Sequence, residues 1–350
     1  MKVIDVRNVN AALVHGLDLL RTTGVTVDTR NGPAVVSPEP VTTVYRKPEE
    51  RVLFLPERDA NPFFHLYEGL WMLAGRNDVA GVAQYARNMK TFSDDGKTLN
   101  GAYGYRWRTH FHGDQLHVAI QKLIANQNDR RVIVAMWDAG CDSAYTGKDV
   151  PCNLAIHFQA WTGRLDMTVF NRSNDIIWGA YGANAVHMSM LQEFVAGAIG
   201  LPVGSYWQVS DNFHAYKDLF EKLAPLADLM PDGYSNNKIP DRYQYDVPAI
   251  SYPMVNTQWS HWLRDLSLTI NEGSQFGARD PFFNRIVTPM LSAHACYKNK
   301  KHYGAERFQA ALDVLGNMPP MNDWRIAASE WIQRREAEAI RAADDGVPHE

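Results

Sequence analysis

Apolar and polar positions follow two rhythms along this chain, and the changes of rhythm mark its elements. Residues 8–20 carry Val9, Leu13, Leu17 and Leu20 at helical spacing and read as a helix. Residues 61–75, NPFFHLYEGLWMLAG, form a second amphipathic helix, which Asn61 can cap and whose first position suits Pro62. A third helix is expected over 116–125 and a strand over VIVAMWD, 132–138. Residues 157–161 and 165–170 alternate as strands, with Thr162-Gly163 as their hairpin turn. The helical period returns over 185–199 through Met188, Leu191, Phe194, Val195 and Ala198. Two polar interruptions precede that helix. Residues 171–175 read as a plain turn ending the second strand, and 179–184 as a glycine-bearing turn.

The flanks are less regular. Residues 1–6 are polar and mixed, and 22–53 read as short strands and turns rich in Thr, Val, Pro and Gly. After Tyr216 the pattern predicts a helix over 217–230, a loop over 231–252 and helices over 258–270 and 282–297. A Pro-containing turn at 317–323 leads to a charged, amphipathic surface helix at 324–343, and 344–350 should fray. With no repeat and no composition break, the expected organisation is one domain. Residues 1–230 are its catalytic core and 231–350 a helical and loop C-terminal elaboration.

Composition narrows the classes. The chain has 350 residues, 45% of them hydrophobic, and a net charge of −4, so no basic field favours nucleic acid. No apolar run reaches a membrane span or a signal-peptide core, which points to an intracellular protein. Three widely spaced cysteines, Cys141, Cys152 and Cys296, fit neither a disulfide framework nor a zinc site. The twelve histidines show no metal-ligand spacing, and no metal is expected.

Several side chains carry chemistry. Cys152 follows Pro151 at a loop-to-strand junction; a lone Cys is ordinarily a small buried hydrophobe, yet nearby arginines would lower its pKa. Glu68 falls in the apolar middle of the 61–75 helix, either on a wet face or as a partly buried carboxyl with a raised pKa. Arg30 sits beside the turn Asn31-Gly32, and Arg130-Arg131 precede a strand. Each is either solvated or a fork for phosphate oxygens. A nucleophile, anion binders and neutral hydrogen-bonding groups on rigid elements suit a small phosphorylated molecule.

The order of these motifs carries a resemblance. Glu68-Gly69-Leu70-Trp71-Met72-Leu73-Ala74-Gly75 is followed by Tyr103-Gly104-Tyr105-Arg106-Trp107-Arg108 and by Arg130-Arg131. Pro151-Cys152 comes next, with Arg172-Ser173-Asn174-Asp175 beginning twenty residues after the Cys, and then His214-Ala215-Tyr216. Together they resemble the thymidylate synthase superfamily, which includes thymidylate synthases and pyrimidine-nucleotide hydroxymethylases. The resemblance implies an α+β fold in three layers, with a large mixed β-sheet packed by helices and a homodimer formed through the sheet. It implies that Cys152 adds to C6 of a pyrimidine nucleoside monophosphate, making C5 nucleophilic toward 5,10-methylenetetrahydrofolate, the folate co-substrate. Glu68 would relay protons and Tyr103 would assist removal of the C5 proton. Arg30, Arg172 and Ser173 would hold the phosphate, with Arg130 and Arg131 reaching the partner's site. Asn184 would read the base, His214 and Tyr216 the sugar, and Asp175 and Trp107 the folate.

Departures from the superfamily pattern bear on the reaction. Gly69 replaces a Leu, Asn153 a His and Asn212 an Asp, and the turn before Asn184 is one residue longer. The apolar C-terminus typical of synthases is absent from GVPHE. These changes resemble those of hydroxymethylases, in which water attacks the methylene intermediate. The expected activity is C5 hydroxymethylation, with dUMP slightly favoured and dCMP close behind, because an Asn stands at the base-reading position. A divergent synthase that methylates dUMP is the alternative, and a retired nucleotide- or RNA-binding regulator the non-enzyme one. The expected location is the cytoplasm, or the host cytoplasm if the chain is phage-encoded.

Overall fold

The structure is a computed structural model that describes residues 1–230, 239–273 and 277–344. Strand β1 (Lys2–Val6) leads into helix α1 (Val9–Thr23), which Asn8 caps by accepting from the Asn10 amide. Strands β2 (Val25–Thr29), β3 (Gly32–Val36) and β4 (Val41–Tyr45) follow. Helix α2 (Pro62–Leu73) starts as predicted, with the Asn61 side chain accepting from the Phe64 amide. Helix α3 (Gln115–Ala125) precedes β5 (Ile133–Ala135), β6 (Asn153–Gln159) and β7 (Leu165–Asp175). Helix α4 (Asn184–Ile199) and the long β8 (Val203–Tyr216) complete the part that carries the motifs singled out in the sequence.

The eight strands form one mixed sheet in the order β1-β4-β8-β7-β6-β5, with β3 also on β8 and β2 on β3. The β1–β4 and β7–β8 pairs are parallel and the others antiparallel. One face of the sheet packs under the helices, where Ile156, Phe158, Val169 and Tyr206 are buried. The other face is open. Val3, Ile133 and Phe170 are exposed there, and Ala155, Trp207 and Val209 are half-buried.

Two glycines mark close approaches. A Cβ on Gly69 would lie 2.4 Å from the Met190 sulfur, so the Gly lets α2 pack directly on α4. A Cβ on Gly104 would lie 1.9 Å from the Met72 carbonyl oxygen, which presses the Tyr103–Tyr105 turn against α2.

The C-terminal part continues the same apolar cluster. Its main helices are α5 (Trp259–Glu272), α6 (Thr288–Lys298), α7 (Arg307–Leu315) and α8 (Asp323–Asp344). The expected surface helix, α8, is amphipathic, but it also buries Trp324, Ala327, Ala328, Trp331 and Ile332. Asn8 donates to Asp241 at 2.8 Å across the expected boundary between core and elaboration.

Several expectations are corrected. Residues 2–6 form a strand whose polar side chains suit an edge. The polar 171–175 stretch is no turn: β7 runs on to Asp175, pairing Ser173 with Asn212 and Asp175 with His214. The 132–138 strand shortens to three residues. Helix 217–230 ends at Leu223 and continues as 3-10 turns, since Pro225 cannot supply the next α-helical amide. The glycine turn at 179–184 is part of a π-helical segment, Ile176–Ala183, interrupted at Gly182. The frayed end at 345–350 and the first part of the 231–252 loop lie outside the described residues.

Candidate active site

The ends of β7, α2 and α4 and the loop before β6 converge on a cavity of about 350 Å³. Glu68 and Trp71 come from α2, Tyr103 from its own short turn, and Asp149 and Cys152 from the loop. Ser173, Asn174 and Asp175 end β7, and Asn184 and His187 open α4. The polar residues of β7 reach this cavity because the strand continues past its apolar part while its backbone stays paired with β8.

Cys152 is tied to β7, since the Arg172 amide donates to the Cys152 carbonyl at 3.0 Å. The Arg172 guanidinium lies 3.9 Å from the sulfur and 5.7 Å from the centre of the Trp137 ring. Burial pushes the thiol pKa up, Arg172 opposes that, and Asp149 and Asp175 add to it. The expectation that arginines would lower the pKa is therefore corrected in its net sign, because desolvation outweighs one guanidinium.

Glu68 is buried, and desolvation helped by the charge of Asp149 raises its pKa to about 8. The wet-face reading is thereby excluded. Its Oε2 stands 3.2 Å from His187 Nε2, yet neither atom has an aligned hydrogen bond. Burial holds His187 neutral, with a pKa of about 3. The Tyr103 phenol is pushed well above its usual value by burial, with Cys152 and Asp149 adding. Asp175 caps the π-helical segment, accepting from the Ile177 and Trp178 amides at 2.9 and 2.6 Å. Its pKa is raised, chiefly by burial.

A row of side-chain amides lies behind Asn184. Asn184 Nδ2 donates to Asn174 Oδ1 at 3.1 Å, and Asn174 Nδ2 donates to Gln208 Oε1 and Ser210 Oγ, both at 3.1 Å. Gln208 Nε2 in turn donates to Tyr206 Oη at 2.8 Å and to the Ala180 carbonyl at 3.4 Å. A carbonyl can only accept, so it fixes which end of Gln208 faces it, and the orientation passes through Asn174 to Asn184.

Of the residues expected at the site, Cys152, Glu68, Tyr103, Ser173, Asp175 and Asn184 line this cavity. Arg172 stands behind Cys152. His214 and Tyr216 end β8, their rings 5.5 Å apart edge to face. Asn31 donates to Tyr216 Oη at 3.1 Å, which brings the turn bearing Arg30 to that end. Arg130 and Arg131 are exposed and line neither this cavity nor the adjoining one, and Arg131 pairs with Asp129. Trp107 is a correction: it is fully buried and lines neither cavity, so it packs the interior rather than offering a surface to a ligand.

That adjoining cavity, of about 730 Å³, shares Glu68, Met89, Phe92, Asp175, Trp178 and Ala183 with the first. Phe64, Tyr85 and Tyr216 line it, with Trp331 and Arg335 of α8. Arg58 also lines it and lies 4.3 Å from the centre of the Trp178 ring. Reading the sequence missed His187, Asn174, Gln208 and this contribution of α8. The available signal was Tyr206, Gln208 and Ser210, a polar set on the inward side of β8. Among the described residues, His110, Asp138 and Cys141 place potential metal-ligand atoms within 4.8 Å of one another, but none of them lines either cavity. Among the described residues no helix is long and apolar enough to cross a membrane.

The family model described as thymidylate synthase matches residues 20–247. The chain is 52% identical to a deoxyuridylate hydroxymethyltransferase of Pseudomonas phage M6, over the full length of both. It is 38% identical to the protein of that name from Bacillus phage SP01, covering 86% of this chain and 82% of the relative. A third, from Delftia phage PhiW-14, is 33% identical over 61% of this chain and 62% of the relative. The chain belongs to the thymidylate synthase family.

Proposed function

We propose that the protein hydroxymethylates C5 of dUMP, with 5,10-methylenetetrahydrofolate as one-carbon donor and water as the source of the hydroxyl. The names of the phage relatives support this. The orientation of Asn184 carries the choice of uracil. With Nδ2 turned toward Asn174, Asn184 keeps Oδ1 for the uracil N3–H and its second N–H for O4. Cytosine would need the reverse, which would set two oxygens against each other at Asn174.

Cys152 adds as thiolate to C6, and Arg172 beside the sulfur favours that form. Arg30, Arg172 and Ser173 hold the phosphate, and His214 and Tyr216 the sugar. Tyr103 assists removal of the C5 proton. Glu68 holds a proton at neutral pH and releases it when the chemistry demands. The larger cavity fits a flat, anionic folate, with Trp178, Phe92 and Trp331 as aromatic walls and Arg58 and Arg335 as cations. Asp175 stands between the two cavities. When bound, the folate supplies the methylene carbon.

A second copy of the chain covers the open sheet face, where Val3, Ile133 and Phe170 lie exposed, and brings Arg130 and Arg131 to the phosphate. Product analysis tests the reading. Incubation with methylenetetrahydrofolate and either dUMP or dCMP should yield 5-hydroxymethyl-dUMP and tetrahydrofolate, with dCMP a poor substrate. Formation of dTMP with dihydrofolate overturns it.

A further inference from the structure

We infer that Glu68 and His187 together bind the water that becomes the product hydroxyl, and that His187 steers the reaction to hydroxymethylation. This rests on the reaction proposed above. His187 lies three residues after Asn184 on α4, so both face the same cavity. It is 1% exposed, and neither ring nitrogen makes an aligned hydrogen bond: Nε2 faces Glu68 Oε2 at 3.2 Å, and the His65 backbone carbonyl lies near enough to oppose the fall in its pKa. Glu68 Oε2 is likewise unpartnered, as is Nε1 of Trp71, which sits one turn after Glu68 on α2. All three residues line one cavity.

Buried polar atoms left unpaired are costly, and a site with several of them suits one ordered water. Their kinds also suit it. A neutral imidazole can accept or donate, an indole N–H donates, and a carboxylate accepts. At the methylene stage the water oxygen bonds the exocyclic carbon attached to C5. The double-bond electrons move into the C4 carbonyl to give an enolate. The water proton passes to Glu68, whose own proton has gone to the departing amine nitrogen. Collapse of the enolate re-forms the C5–C6 double bond and expels Cys152 as thiolate. His187 orients the water throughout.

The test compares two readouts on one sample: tritium release from [5-³H]dUMP, which reports C5 proton removal, and formation of 5-hydroxymethyl-dUMP. In His187→Ala, release should persist while the hydroxymethyl product falls by about tenfold or more, the scale expected for a group that positions a reacting water. Added 2-mercaptoethanol should then capture the methylene stage as a thioether. His187→Gln should recover part of the product. Equal falls in release and product, or no change in either, would overturn the inference. If His187→Ala fails to fold, His187→Gln decides by the same ratio. If both variants fail, a crystal structure of the wild-type protein with dUMP decides, and absence of a water bonded to both Glu68 and His187 overturns the idea. Wild-type protein that makes dTMP defeats the proposed function itself, whereas hydroxymethyl product with unchanged coupling in the variants defeats only the role of His187.

Discussion

Arg172 is held against Cys152 by backbone carbonyls: its Nε donates to Pro151 at 3.0 Å and its Nη2 to Val150 at 3.2 Å, with the sulfur 3.9 Å from Nη2. On the proposed reading, one side chain would then serve both the nucleophile and the phosphate. Arg172→Ala should weaken dUMP binding by about 2–3 kcal/mol, as for a lost charge-assisted pair, while deoxyuridine binding changes little. It should also move the pH profile of Cys152 alkylation upward, because the removed cation favours the thiolate. Calorimetry with both ligands and iodoacetamide kinetics check this.

Cys152→Ser should abolish turnover and leave dUMP affinity within a few-fold of wild type, since the hydroxyl is a far weaker nucleophile of similar size. A tritium-release assay beside a binding titration separates the two effects.

Glu68→Gln should stabilise the fold while abolishing activity. The folded-state pKa of about 8 lies above the ordinary 4.5, so the folded chain holds a proton that the unfolded chain has lost. Wild-type stability falls as pH rises from about 4.5 to about 8, and the loss is complete above that range. The variant escapes it. Its advantage should be near zero at acid pH and grow to roughly 5 kcal/mol at alkaline pH, read from urea melts at several pH values.

Arg106 and Asp142 form a fully buried bidentate pair, with contacts of 2.6 and 2.8 Å. Asp142→Ala strands the guanidinium in the interior and should cost about 3–5 kcal/mol. Arg106→Met combined with Asp142→Leu should cost less than Asp142→Ala alone. Denaturant unfolding compares them.

Subunit mixing tests the dimer. Cys152→Ser and Arg131→Ala homodimers should both be weakly active or inactive. Heterodimers should regain up to about half of wild-type activity per dimer, because one site would pair an intact Cys152 with an intact Arg131 from the other chain. No recovery after denaturing and refolding the mixture would count against a shared site.

Much of the site could be read from the sequence because its parts sit at fixed intervals on single elements. Cys152 and Arg172 are joined by one hairpin, and Glu68 and Trp71 lie one helical turn apart. What could not be read depends on pairing between distant segments. Asn174 meets Gln208 and Ser210 only because β7 and β8 run parallel in one particular register. His187, in a largely apolar stretch of α4, reads as packing until α2 brings Glu68 beside it. Residues 171–175 looked like a turn because polarity along a strand normally marks its end; here it marks the side facing a cavity. The net rise in the Cys152 pKa depends on burial, which no local motif reports.

With Asn184 as the proposed base reader, the amide row from Ala180 to Asn184 would give base choice an evolutionary stiffness. Its polarity descends from one backbone carbonyl, which mutation of a side chain cannot reverse. To present the opposite face of Asn184, a descendant would have to turn each amide in the row, or replace several together. Any intermediate would leave two oxygens, or two N–H groups, confronting each other in the interior. On that reading, a lineage carrying this arrangement would stay with its base through many single substitutions and change it only by rebuilding the row.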